Sequence, residues 1–269
     1  MRVEPAGTPP RPTRMRGPLL PLLLLLLVAV TACGSEAGDP PAPAPATNPR
    51  TLVLRVQELH SSPRPWERGD LPRFSLYGGG HVIAPARTSG ALRTAVKYRL
   101  SPARYRELTD AAHAAGLAHA RRHEDTTSTD ASLLTVTHRT PDGLRSTRVT
   151  APEAGGDGDR GRVLDFVRTR VPPAPSDTPP PGATAYRPAA LAILATGGVG
   201  ADDSTARPWP LRPIAGRCEV VTGEDLVRAR QLALGARQNT RWSSGGMLYA
   251  VAFRPLLPDE HTCRDLDRP

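Results

Sequence analysis

The chain has 269 residues and a formal net charge of +9, from 35 Lys and Arg against 26 Asp and Glu, with 31 Pro and 24 Gly. That length can bury a core as one larger domain or two small ones. The basic excess does not describe a nucleic-acid binder, because Lys97 is the only lysine, Arg121 and Arg122 are the only adjacent arginines, and no basic run is interleaved with aromatics. Arg, Ala, Pro and Gly share GC-rich codons, so genome composition accounts for the arginines as well as a partner does.

The chain opens on Arg2, Arg11, Arg14 and Arg16, followed by the apolar run Leu19 to Val30 with six consecutive leucines from Leu22, then Thr31, Ala32 and Cys33. A positive segment, an apolar segment of about a dozen residues and small residues before a cut site describe a signal peptide, too short for the ~20 residues of a spanning helix. Residues 22–33 resemble the lipobox of bacterial lipoprotein signal peptides. That resemblance implies removal of residues 1–32 and lipidation of Cys33 as the first mature residue; a secretory signal without lipid is the alternative. Each buried methylene contributes about 0.8 kcal/mol, so two acyl chains hold a protein on a bilayer where one lets it exchange. Losing four Arg and one Glu with residues 1–32 takes the net charge from +9 to +6.

Residues 33–50 carry an alternating Ala-Pro run and are expected to form an extended tether. From Thr51 to Leu59 alternation predicts a strand. Apolar runs on either side of Gly78-Gly79-Gly80 predict a hairpin over 72–83, and a phosphate-cradling loop is excluded there because no helix follows the glycines. A third strand over 92–100 leads to Ser101-Pro102, an N-cap and first-turn proline, and a helix over 102–115 stopped by Gly116. Strands over 133–138 and 144–150 flank the turn Pro141-Asp142-Gly143, and a helix is expected over 161–171. The proline-rich run 172–182 is the expected linker between an N-terminal α+β subdomain, 51–171, and a C-terminal one, 183–269. In the second, strands are expected over 189–196 and 217–221, a helix capped by a box of Thr222 and Asp225, and a last strand over 247–253. The fold class is thus α+β, with antiparallel hairpins and a few short helices in two subdomains.

With Cys33 assigned to lipid, Cys218 and Cys263 remain, and an even remainder in an exported protein pairs as a disulfide. The loop so closed is worth about 4 kcal/mol in the chain-entropy model. A catalytic thiol or metal ligand is the rival reading, against which no CxxC spacing exists.

The run Leu71-Pro72-Arg73-Phe74-Ser75-Leu76-Tyr77-Gly78, the pieces Trp209-Pro210-Leu211 and Arg217-Cys218, and the tail from Tyr249 to Cys263 with Phe253-Arg254-Pro255-Leu256-Leu257-Pro258-Asp259-Glu260 resemble a family of uncharacterised actinobacterial lipoproteins. The likeness covers most of residues 51–263. Members often carry Asp where this chain has Gly79, which argues against a catalytic carboxylate in that turn. The resemblance carries over no catalytic residue. The hairpin and helix order of 72–171 is also similar to small modules of secreted enzyme inhibitors, an analogy at the level of fold.

Hydrolysis by an activated serine needs a histidine oriented by a carboxylate. No Gly-x-Ser-x-Gly elbow occurs, and Ser243-Ser244-Gly245-Gly246 lacks the strand-to-helix context. His119, His123, Glu124 and Asp125 are the densest group of potential metal ligands, but Arg121 and Arg122 stand among them and Gly116 ends the helix first. The segment Asp125 to Asp130 lacks the pattern of a calcium loop. Asp202-Asp203 and Asp259-Glu260 are expected as exposed loop pairs, and Trp209 and Trp242 as aromatics packed on proline or capping a cleft.

These residues describe a lipid-anchored protein on the outer face of the cell membrane, a non-enzymatic binding or scaffold protein with an envelope partner, no nucleic acid, no cofactor and no metal. The alternatives are an envelope hydrolase with a dispersed site using His81, His113 or His138, and an inhibitor of a secreted enzyme.

Overall fold

The computed structural model describes residues 44–60, 69–124, 131–173, 179–199 and 205–266. Strands β1 (Leu52–His60), β2 (Phe74–Tyr77), β3 (His81–Ser89) and β4 (Leu92–Arg99) precede helix α1 (Pro102–Ala114); β5 (Arg121–His123), β6 (Ser132–Thr140) and β7 (Gly143–Thr150) precede α2 (Gly158–Thr169). The second half runs β8 (Thr184–Ala185), β9 (Leu191–Val199), β10 (Arg207–Pro208), β11 (Cys218–Val221), α3 (Gly223–Leu234), β12 (Arg241–Ser244), β13 (Met247–Pro255) and α4 (Cys263–Leu266). The protein is therefore mixed, a large and mostly antiparallel sheet with few short helices.

The expected hairpins form where turn chemistry demands them: Gly79, at φ 69°, makes the β2–β3 connection, and Pro141-Asp142 joins β6 to β7. A further hairpin, β12–β13, turns on Gly245 and Gly246, at φ 58° and 75°. Ser101 caps α1 by accepting from the Arg104 amide at 3.2 Å, with Pro102 behind it. Thr222 precedes α3 as expected, but its side chain makes no cap hydrogen bond; Asp225 pairs with Arg212 at 2.9 Å instead.

Alternation, with a register irregularity between Leu52 and Leu54 that turns Leu52 over, sends one set of side chains to each face of the first half's sheet. Leu54, Val56, Phe74, Leu76 and Val136 meet Leu108 of α1 and Phe166 of α2. On the other face Leu52, Tyr77, Ile83 and Ala95 are covered by Leu257 from the chain's far end. This is why β2 is buried along its whole length. In the second half α3 packs Ala229 and Ala233 on Ile193, Val251 and Phe253.

The halves on either side of residues 172–182 share one sheet, since β13 pairs antiparallel with β9 and β12 and touches β4 in parallel at Phe253 and Leu92. The tip of the β3–β4 hairpin also abuts α3, where the Ala91 amide donates to the Ala233 carbonyl at 2.8 Å. Ordered packing starts before Thr51, inside the expected tether. The Ala46 carbonyl accepts from the Gly79 amide and the Tyr105 hydroxyl, both at 2.8 Å. Among the described residues no helix is long and apolar enough to cross a membrane.

Candidate functional site

Two constellations gather polar side chains. The first lies under the C-terminal segment, where the runs 71–78 and 249–263 meet. Arg55 interrupts the apolar alternation of β1 opposite Ser75, on the face away from α1 and α2. Its guanidinium lies 3.3 Å from Ser75 Oγ, 3.2 Å from the Tyr77 hydroxyl and 2.7 Å from Asp259 Oδ1. Tyr77 donates to the same Asp259 oxygen at 2.7 Å. Burial pushes the Tyr77 phenol well above its ordinary pKa; Arg55 opposes that shift and Asp259 adds to it, so the hydroxyl keeps its proton. Glu260 forms a bidentate pair with Arg254, at 2.6 and 3.0 Å, and accepts the Leu257 amide at 2.9 Å. Both side chains are 3% exposed. Asp259 and Glu260, expected as an exposed loop pair, are the centre of an ionic network: the backbone turns as a loop does, but its carboxylates point inward at two arginines buried by neighbouring strands.

The second constellation is a cleft of about 320 Å³ at the junction of the halves. On one edge of β13 the pairing with β12 reaches Ala250 opposite Arg241, and the contact with β4 is at Phe253 opposite Leu92. Two flanking strands meeting end to end leave Val251 and Ala252 without a strand neighbour on that edge, and the cleft opens there. Its floor is apolar, from Ala91, Leu194, Val251 and Ala252, and its rim carries Arg93, Arg241, Gln238 and Asn239. Arg241, Gln238 and Asn239 are exposed and have no side-chain partner among the described residues. Arg93 Nε is buried and lies 3.0 Å from Asp70 Oδ1 without the alignment of a hydrogen bond. Among the described residues lining the cleft, Thr196 is the one that carries a hydroxyl, and none is a carboxylate or histidine.

Cys218 and Cys263 form a disulfide, Cα atoms 6.0 Å apart, tying β11 to α4. Cys33, Asp125 to Asp130, Asp202 and Asp203 lie outside the described residues. His119 and His123 do not share a helix face: α1 ends at Ala114, Gly116 takes φ 83°, and His123 sits in β5, parallel to β7. Residues 121–123 are thus a strand where a polar loop was expected. Arg121 beside them pairs with Asp159. Among the described residues no three His, Cys, Asp or Glu side chains converge as metal ligands.

The histidines considered for hydrolysis are apart from acids. His81 stands near Arg99 and Lys97, and partial burial followed by those charges lowers its pKa. His138 is 2% exposed in β6; burial pushes its pKa down to about 4, a hydrogen bond with the Leu117 backbone opposing that shift, and its Nδ1 has no partner. Among the described residues no hydrogen bond joins His113 or His138 to a carboxylate or hydroxyl. Ser243 and Ser244 close β12 before its glycine turn. Trp242 is buried edge-on to Trp209, ring centres 5.3 Å apart, so Trp242 is core and the partly buried Trp209 packs against it.

Sequence reasoning passed over Arg55, Arg254, Arg93 and Arg241. For the first two a signal existed: each is an arginine inside an apolar strand pattern, which demands a counter-charge. For the cleft there was none, because its residues come from separate segments joined only by sheet geometry. Comparison with family models, curated proteins and solved structures finds no match to this chain.

Proposed function

We propose that the chain is an exported lipoprotein, held on the outer face of the cell membrane through lipid on Cys33, where it acts as a non-enzymatic binding or scaffold protein of the envelope. The observation that carries this reading is the segment from Leu22 to Cys33, whose basic start, short apolar run and Thr-Ala-Cys ending match what lipidation after export requires. The Cys218–Cys263 disulfide supports it, since such bonds persist in oxidising compartments. The cleft between β4, β12 and β13 supports a binding role, since Arg241, Gln238 and Asn239 on its rim are exposed and without side-chain partners among the described residues. On this reading, residues 51–171 and 183–269 are two α+β subdomains fused through one sheet, and the runs 71–78 and 249–263 that resemble actinobacterial lipoproteins supply the ionic lock between strands and tail.

Metabolic labelling with a palmitate analogue tests the anchor. Label is expected on the wild-type chain in the membrane fraction and disappears with Cys33→Ala, while globomycin, which blocks the cleavage that follows acylation, leaves the label on an uncleaved precursor. Equal labelling of the Cys33→Ala chain, or processing indifferent to globomycin, would overturn the reading.

A further inference from the structure

We propose that the cleft at the β13 seam binds a small organic anion, a carboxylate attached to a short apolar chain. The inference rests on the binding-protein reading above and names the ligand class of that site. Two arginines from unconnected strands, Arg93 at the start of β4 and Arg241 at the start of β12, line one cavity, with no carboxylate among the described lining residues. Arg241 has no ion-pair partner among the described residues, whereas Arg93 already pairs with Asp70, Nε to Oδ1 3.0 Å. An unpaired guanidinium beside an apolar floor offers an incoming carboxylate a charge-assisted hydrogen bond. Gln238 and Asn239 add amide donors beside Arg241, on the connection from α3 to β12.

The rest of the cavity fixes the other end of the ligand. Ala91, Leu194, Val251 and Ala252 give an apolar floor, which rewards a hydrocarbon body and gives an inorganic anion nothing. The volume, about 320 Å³, is at the lower end of small-molecule sites and suits a chain of moderate length. Cations are opposed by the unpaired charge of Arg241. A neutral alcohol of the same length gains the floor but forfeits the charge-assisted hydrogen bonds at the rim.

The test is calorimetric titration of the full chain, transferred into amphipol, with octanoate, octanol, octylammonium and inorganic phosphate. Octanoate is expected to bind saturably at one site, octanol and phosphate at least about tenfold more weakly, and octylammonium without saturation. Arg241→Ala is expected to weaken octanoate about tenfold or more while leaving the melting temperature unchanged, because the side chain is exposed and unpaired; Arg241→Lys retains part of the affinity. Equal affinities for octanoate and octanol, or an octanoate affinity indifferent to Arg241→Ala, overturn the anion assignment and leave the binding reading standing. Saturable binding of none of the four overturns it outright. Loss of lipid labelling with octanoate binding intact removes the anchor and keeps the cleft.

Discussion

Arg254 and Glu260 form a deeply buried ion pair, both side chains 3% exposed and their two hydrogen bonds 2.6 and 3.0 Å long. A buried pair of this kind adds little net stability over an apolar pair, but removing one member strands the other. Glu260→Ala is therefore expected to cost about 3–5 kcal/mol, read as a lower denaturation midpoint. Asp259→Asn keeps an oxygen for Arg55 and Tyr77 at a side chain 22% exposed, so its expected cost is smaller, about 1–2 kcal/mol. Equal losses would show that the two carboxylates do not differ as their burial says. His138 gives the fold a second residue-scale signature. Its folded pKa of about 4 lies below the 6.5 of a free histidine, so the unfolded chain takes up the proton first. The stability it confers is complete above pH 6.5 and lost as pH falls toward 4, roughly 3 kcal/mol in all. Replacing His138 with Gln should flatten that part of the stability profile; an unchanged slope between pH 6.5 and 4 would assign it to other groups.

At the scale of elements, the parts that were legible carry their own punctuation. The strands around the Gly78 and Pro141 turns and the helix behind Ser101-Pro102 appear within a few residues of where periodicity and caps place them. β5, β8, β10 and β12 were illegible because two to four residues hold no alternation; the first three exist by pairing with a distant strand, and β12 by its hairpin with β13. The acids at 259 and 260 were misplaced for a related reason: proline neighbours announce a loop correctly and say nothing of where its side chains turn. The β3–β4 tip shows how closely two elements can be required to approach. Gly90 has φ 61°, and a Cβ there would stand 2.5 Å from the Ala233 carbonyl oxygen. Gly90→Ala combines left-handed strain with that clash, and is expected to lower the unfolding free energy by about 2 kcal/mol or more in a denaturant titration. A neutral outcome would mean that the hairpin tip and the end of α3 separate readily.

For the molecule as a whole, two fasteners act on the same stretch of tail. The ionic network fixes residues 254–260 to β1 and β2, and the disulfide fixes Cys263 to β11. Reducing the disulfide, or replacing both cysteines with Ala, is expected to lower stability by about 2–4 kcal/mol through the loosened unfolded chain, while the folded state keeps its shape because the network still holds the tail. Near-ultraviolet circular dichroism of the reduced folded protein would check this, a lost tyrosine and tryptophan signal being the contrary result.

The bond from Arg55 to Asp259 spans 204 positions in the chain. Ribosomes deliver the guanidinium long before its carboxylate, so β1 and β2 must wait, with an unmatched charge facing the space that the tail will fill. The protein therefore cannot finish folding piecemeal from its beginning. Until the short acidic latch arrives the network stays incomplete, and a chain cut just ahead of Leu257 should remain open to proteases although every earlier strand and helix is present.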